Sequence, residues 1–180
     1  MAILGFNLQK GELHFCLLDG TRPDPRYLMH GRHRFEVDQP RPEMANFFKQ
    51  TFNELIEAQQ PRGLAYRLSM DGKKADQIAY LTFPFGILSL VAYERGLAIA
   101  QSTIHTFTKK ALAHSGDKFT ACDERIEDCP AAWPNAAKLA ALLASGGDEL
   151  LALQYEIRRP AMLGSEGLRY RRHRLCHDTP

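Results

Sequence analysis

Tryptophan and cysteine are scarce in this chain, one and four residues respectively in 180, and neither type falls in a recognisable pattern. Cys16, Cys122, Cys129 and Cys176 contain no Cys-x-x-Cys pair. Cys122 and Cys129 can be grouped with His173, Cys176 and His177, but the spacing fits no common zinc arrangement. Reduced, unligated thiols are the expectation, with Cys16 buried in a strand. No apolar run reaches the roughly 18 residues that a bilayer crossing needs. The longest, 78–92, is interrupted by Pro84 and Gly86. The opening residues Met1 to Leu8 lack the basic and apolar regions of a secretory signal. These features predict a cytoplasmic protein with no membrane segment. A strong excess of either charge is absent as well: a net charge of +2 does not by itself argue for a polyanionic partner. There is no Gly-rich phosphate loop, no dinucleotide fingerprint and no nucleophile elbow. His14, His30 and His33 lie in a strand-rich region, while His105, His114, His173 and His177 are scattered.

The chain does hold enough apolar residues, 44%, to bury one core of ordinary size. Residues 2–9 and 12–18 alternate as two strands around a Lys10-Gly11 turn. Thr21 to Tyr27 reads as a loop and 28–37 as a third strand. Pro42 sits near the first turn of a helix that runs to about Ala58, with Phe47, Phe48, Phe52, Leu55 and Ile56 at helical spacing. A short strand follows over 63–69. A long helix then runs from about Lys74 to Arg95, kinked or split at Pro84 and capped by Gly96. A fifth strand covers 97–101, and a helix over 103–113 has Ser102 or Thr103 as its cap. Residues 114–134 are polar and loop-like, with room for helical turns, and Asn135 to Ala144 is an apolar helix. The order is β-β-β-α-β-α-β-α-α, a meander followed by alternation, which predicts a mixed five-stranded sheet flanked by helices. Residues 158–180 form a separate Arg-rich tail, with Arg158, Arg159, Arg169, Arg171, Arg172 and Arg174 against Glu166 and Asp178.

Particular residues carry a resemblance. The long helix ends in Ala92-Tyr93-Glu94-Arg95-Gly96 ahead of the fifth strand. Lys109-Lys110 precede a small loop, Ser115-Gly116-Asp117-Lys118. Asn135-Ala-Ala-Lys138 opens the last helix in a frame of small and apolar residues. In this order the chain resembles the RNase H-like superfamily, and its RuvC-type resolvases in particular, over most of residues 1–145. The resemblance implies an α/β domain over 1–157. In that family the first strand carries a catalytic Asp and the last helix opens with Asp-x-x-Asp. Two Mg²⁺ ions held by these carboxylates activate water and stabilise the leaving oxygen.

Here the corresponding positions are degenerate. Asn7 stands for the first-strand Asp, Ser69 marks a fourth-strand end that has no Glu, and Asn135 and Lys138 stand for the last pair. Mg²⁺ needs hard, charged oxygen ligands, and an ammonium at Lys138 repels a cation. Asp19, Asp71, Asp117, Asp123 and Asp128 are the available substitutes. Asp71 is the best single metal candidate, although Asp71-Gly72 reads first as a turn. Asp123, Glu124, Glu127 and Asp128 read as an exposed acidic loop, and Trp133-Pro134 as a packing wedge ahead of the last helix.

Three functions remain open. The first is a non-catalytic RNase H-like module that binds nucleic acid or a protein partner through Lys109, Lys110, Lys118 and the Arg-rich tail. The second is a Mg²⁺-dependent nuclease with relocated ligands. The third is a subunit of a larger assembly. Without the second, no cofactor is expected.

Overall fold

The structure is a computed structural model that describes residues 2–9, 11–68, 74–117, 120–126 and 135–145; for Asp123, Arg125, Asn135 and Ala136 it covers the backbone only. The opening hairpin forms as its alternation predicts. β1 (Ile3–Gln9) pairs antiparallel with β2 (Glu12–Gly20), from Ile3↔Leu18 to Gln9↔Glu12. Gly11, at φ 72°, supplies the left-handed residue that the turn requires.

The third strand differs from expectation. β3 spans Pro25–Arg34, so it starts inside the expected loop and ends before Phe35. Proline is tolerated there because it is the first residue of an edge strand. A register shift opposite Leu17 and Leu18 absorbs the extra residue Leu28. Phe35 leaves the ladder because its ring packs edge-on against Phe48, with centroids 4.9 Å apart. Its backbone N–H still donates to Gly11 at 3.1 Å.

β4 (Gly63–Arg67) lies parallel to β1, and β5 (Ala98–Ser102) parallel to β4, so the sheet order is β3-β2-β1-β4-β5. Helix α1 (Arg41–Gln59) and helix α2 (Ala75–Glu94) cover one face. There Leu4, Phe6, Leu8, Leu13, Phe15, Leu17, Leu64 and Tyr66 meet Phe48, Phe52, Phe85, Leu88 and Val91. Tyr66 stacks on Phe85 at 4.5 Å, and Phe6 meets Phe52 edge-on at 5.2 Å. α2 is one continuous helix through Pro84, which is buried with Phe85, rather than split in two. Its apolar stretch is therefore longer than the local sequence signals allow. By length and composition alone α2 could cross a bilayer. In this fold its inner face is core, while Leu90 and Tyr93 are exposed.

The other face takes the last helix, α5 (Asn135–Ala144), whose Ala137, Leu139, Ala140, Ala141, Leu142 and Ala144 pack on Ile3, Cys16, Leu18, Ala65 and Ala98. The approach is close because β1 presents Gly5 there. A Cβ on Gly5 would lie 2.8 Å from both Cβ and N of Ala141 and would strike the carbonyl of Ala137. The direction of α5 is set at its far end. Arg22, just beyond β2, donates to the carbonyls of Leu143 (2.5 Å) and Ala111 (2.7 Å). The C-terminus of α5 therefore sits at the Gly20 end of the sheet, and its N-terminus points toward the Asn7 end.

The expected helix over 103–113 shrinks to α3 (Lys109–Leu112). Thr103 and Thr106 instead close a turn, with the Thr106 N–H donating to the Thr103 carbonyl at 3.0 Å. Hydroxyls in the run Thr103 to Thr108 compete with helical hydrogen bonding. The cap is Thr108, whose Oγ accepts from the Ala111 N–H at 3.1 Å, not Ser102 or Thr103. A short helix, α4 (Ala121–Arg125), forms within the expected loop and buries Cys122 in the α5-side core. Cys16 and Cys122 are both buried free thiols. The boundary expected near residue 157 and the Arg-rich tail lie outside the described residues.

Candidate functional site

Strand register brings one row of polar side chains to the Asn7 end, on the face that carries α5. Asn7 pairs with His14 of β2 and with Arg67 of β4. His14 in turn pairs with Arg32 of β3, and Arg67 with Ser102 of β5. The row reads Arg32, His14, Asn7, Arg67, Ser102 across the sheet. Alternation puts all five on the α5 face, because Leu64 and Tyr66 point to α1 and α2 while Ala65 points to α5.

Asn7 is 1% exposed, and its side-chain oxygen has no hydrogen-bond partner among the described residues. Such a buried orphan is rare in folded proteins and asks for an explanation. Ser102 is satisfied locally, donating to the Tyr66 carbonyl at 3.0 Å.

Glu12, one step further along β2, collects three partners, two arginines and a histidine. His14 Nε2 lies 2.9 Å from one carboxylate oxygen, while Arg34 Nε (3.1 Å) and Arg32 Nη1 (3.2 Å) approach the other. Burial alone would raise the Glu12 carboxyl, but the hydrogen bonds from His14 and Arg34 and the charges of Arg32 and His14 together hold it below its ordinary value. Glu12 is thus an anion already neutralised by its neighbours.

Lys138 is fully buried on α5. His30 titrates below its ordinary range, first because it is desolvated and then because the Lys138 charge lies close by. The Tyr27 hydroxyl and His30 Nδ1 are hydrogen-bond partners. Lys138 therefore lies near His30, which pairs with Cys16 of β2. On the face toward α5, Arg32, Arg34 and Arg67 stand on the sheet at this end and Lys138 on α5, with Glu12 the carboxylate that Arg32 and Arg34 engage.

Other residues named from sequence fall elsewhere. Asp19 belongs to the Gly20 end and pairs with Arg26 at 2.7 Å. Lys109 and Lys110 are exposed on α3, which Arg22 ties to that same end, so they are not brought to Asn7. Asp117 accepts through its backbone from Thr120 in the turn ahead of α4. Ser69, Asp71, Lys118, Asp128, Arg169, Arg171, Arg172 and Arg174 lie outside the described residues, as do the side chains of Asp123 and Asn135.

The Mg²⁺ ions that the RuvC-type resemblance implies need a donor set of carboxylates. Among the described residues no three His, Cys, Asp or Glu side chains are grouped to hold a metal ion. The row supplies one neutral amide oxygen flanked by cationic or basic side chains. Mg²⁺ needs several oxygen ligands with negative charge, so these residues do not fit it.

His14, Arg32, Arg67 and Glu12 escape a reading that looks only for lost carboxylates. Hairpin arithmetic could have found His14, since a Lys10-Gly11 turn pairs 7 with 14. Arg67 requires the parallel register of β4, which no local signal sets.

This strand order, with α5 laid over β1 and its N-terminus at the Asn7 end, defines an RNase H-like fold of the RuvC type. Thermus thermophilus RuvC in complex with a Holliday junction substrate superposes with a TM-score of 0.64 at 15% identity, covering 84% of this chain and 94% of that one. A second Thermus thermophilus RuvC structure gives 0.61 at 16% identity over 84% and 95%. The yeast mitochondrial Holliday junction resolvase gives 0.57 at 12% identity over 86% and 80%. No protein-family model matches the chain, and no curated protein matches it by sequence. At these identities the likeness is one of fold.

Proposed function

We propose that the chain is a nucleic-acid-binding module of the RuvC-type fold that engages branched DNA with the Asn7 end of its sheet and does not cut it by the two-metal route. The observation that carries this reading is the row Arg32, His14, Asn7, Arg67, Ser102, which puts basic and neutral side chains at the end of the sheet where catalytic nucleases of the fold concentrate carboxylates. Phosphates are drawn to such a surface by charge alone. Proteins of this fold act on Holliday junctions, and a four-way junction is accordingly the substrate class to try first. The Arg-rich residues 158–180 and the exposed Lys109 and Lys110 would add contacts outside the central footprint.

The test is binding and cleavage measured side by side on four-way, duplex and single-stranded DNA, with EDTA, Mg²⁺ or Mn²⁺. Junction binding that persists in EDTA, with no cleavage in either metal, is the expected result. Metal-dependent cleavage that Asp71→Asn abolishes would instead establish relocated carboxylate ligands. Failure to bind any nucleic acid would leave the fold as a protein-assembly module.

A further inference from the structure

We propose that the outer face of α2 is a self-association surface, on which two copies of this chain pair their α2 helices antiparallel about a two-fold axis at Gly86. The surface lies away from the polar row, and the inference does not depend on the nucleic-acid reading. Two observations carry it. The first is an apolar face that the fold leaves uncovered. α2 turns Pro84, Phe85, Leu88, Val91 and Ala92 inward. At about 100° per residue, its opposite side carries Ala79, Phe83, Gly86, Leu90 and Tyr93. Leu90 is 51% and Tyr93 72% exposed. No charged residue occurs between Asp76 and Glu94. Charges gather only at the edges: Arg41 lies over the Phe83 ring at 5.1 Å, Glu94 pairs with Lys49, and Arg95 with Glu57. Only 28% of this apolar stretch is buried. A continuous exposed apolar surface marks contact with another molecule.

The second observation is Gly86, midway between Ala79 and Tyr93. Glycine weakens a helix interior, and a Cβ here would meet nothing within 4 Å. The single copy therefore has no packing reason for it. A second helix crossing at this point supplies one, because two backbones approach most closely where no side chain stands between them. An isologous pair presents the same patch twice, so the patch must complement itself. The antiparallel pairing achieves this. Gly86 meets Gly86, and the small Ala79 of one copy faces the large Tyr93 of the other. The exposed Asp76 in the first turn of α2 is turned toward the Lys49 and Arg95 end of the second copy, and the helix dipoles oppose. A parallel pairing would set Tyr93 against Tyr93 and align the dipoles. The helix is about 30 Å long and about 10 Å broad, so one face offers about 300 Å². A standard interface takes about 800 Å² per partner, so the dimer is a weak, reversible one.

The experiment is sedimentation of the full chain without DNA. The expected result is a reversible monomer–dimer equilibrium with a Kd below about 1 mM. Gly86→Glu sets two carboxylates against each other on the axis and should weaken the dimer at least about tenfold. The melting temperature of the monomer should hold or rise, because glutamate is the better helix former. Leu90→Glu is the second probe and should act in the same direction. Leu28→Glu, at the exposed leucine of β3, should leave association within about twofold. The register is read by cross-linking in a chain carrying Cys129→Ser and Cys176→Ser: Ala79→Cys mixed with Tyr93→Cys should form a disulfide-linked dimer, and neither variant alone. A chain that stays monomeric to about 1 mM, or a dimer that only Leu28→Glu weakens, would overturn the surface. Self-linked Ala79→Cys and self-linked Tyr93→Cys would overturn the antiparallel pairing. A monomer that binds phosphatidylcholine vesicles and loses them on Leu90→Glu would assign the face to a bilayer and overturn the proposal.

Discussion

The seating of α5 on β1 decides whether the candidate site exists, and Gly5→Ala tests it directly. The added methyl would lie 2.8 Å from the Cβ and N of Ala141 and closer still to the Ala137 carbonyl. Carbon atoms in contact settle at about 3.5–4.0 Å, so α5 must retreat by roughly 1 Å. Two of the three obstructing atoms belong to helix backbone, which cannot swing aside as a side chain can. Retreat also loosens the small-residue face of Ala137, Ala140, Ala141 and Ala144 that lies on the sheet. Overpacking of this kind costs about 1–3 kcal/mol, and the rigid backbone places this site near the upper end. For a chain of this size each kcal/mol moves Tm by about 2–4 °C, so a fall of roughly 6–12 °C is expected in a calorimetric melt. Ala141→Gly added to Gly5→Ala should recover only part of the loss, because the Ala137 carbonyl stays in place. Two other glycines calibrate the scale. A Cβ on Gly31 would meet the Phe15 ring, which can rotate, so Gly31→Ala should cost less; Gly86, inside α2, has nothing within 4 Å, so Gly86→Ala should stabilise by up to about 1 kcal/mol. A Gly5→Ala chain that melts at or above the wild-type temperature would show that α5 does not rest on β1, and the polar row would lose its roof.

Further outcomes are expected from the same geometry. Asn7→Leu removes an unsatisfied buried amide at similar volume and should raise unfolding free energy by about 1 kcal/mol; a destabilised variant in urea titration would mean that the amide is satisfied in solution. Arg22→Met strips the Ala111 and Leu143 carbonyls of their donors and should cost about 2–3 kcal/mol by denaturant unfolding. His30 is held below its ordinary value by burial and by Lys138, so between its folded and unfolded values the unfolded chain binds the proton and the folded chain does not. The His30 contribution is therefore complete above about pH 6.5 and declines as pH falls below it. Lys138→Met should raise the His30 midpoint followed by NMR, and an unmoved midpoint would place the ammonium elsewhere. If residues 158–180 bind DNA, truncation after Ile157 should flatten the log-log salt dependence by about 0.9 for every phosphate the tail neutralises, with the melting temperature unchanged.

Much of the architecture is legible because its signals are local. Alternation over 2–9 and 12–18 names the hairpin, and the spacing of Phe48, Phe52 and Leu55 names α1. The apolar frame of Asn135 to Ala144 names α5. The departures are local competitions that periodicity does not register. Threonine hydroxyls between Thr103 and Thr108 closed a turn where helical spacing suggested a helix. β3 takes up the extra residue Leu28 at a register shift and starts earlier than its alternation suggests, and α2 runs on through Pro84.

The candidate site divides along the same line. The amino-acid sequence alone determined which side chains are available: an asparagine on the first strand, a lysine in the last helix, and arginines and histidines across β2–β4. A residue's type and its face follow from composition and a two-residue period, and neither depends on distant partners. Only the tertiary structure decided which of them meet. The parallel pairing of β1 with β4 sets Arg67 beside Asn7, and α3 is drawn toward the Gly20 end through Arg22, away from that row. Register between distant strands is chosen by burying both sheet faces at once, and no short stretch of chain contains that information.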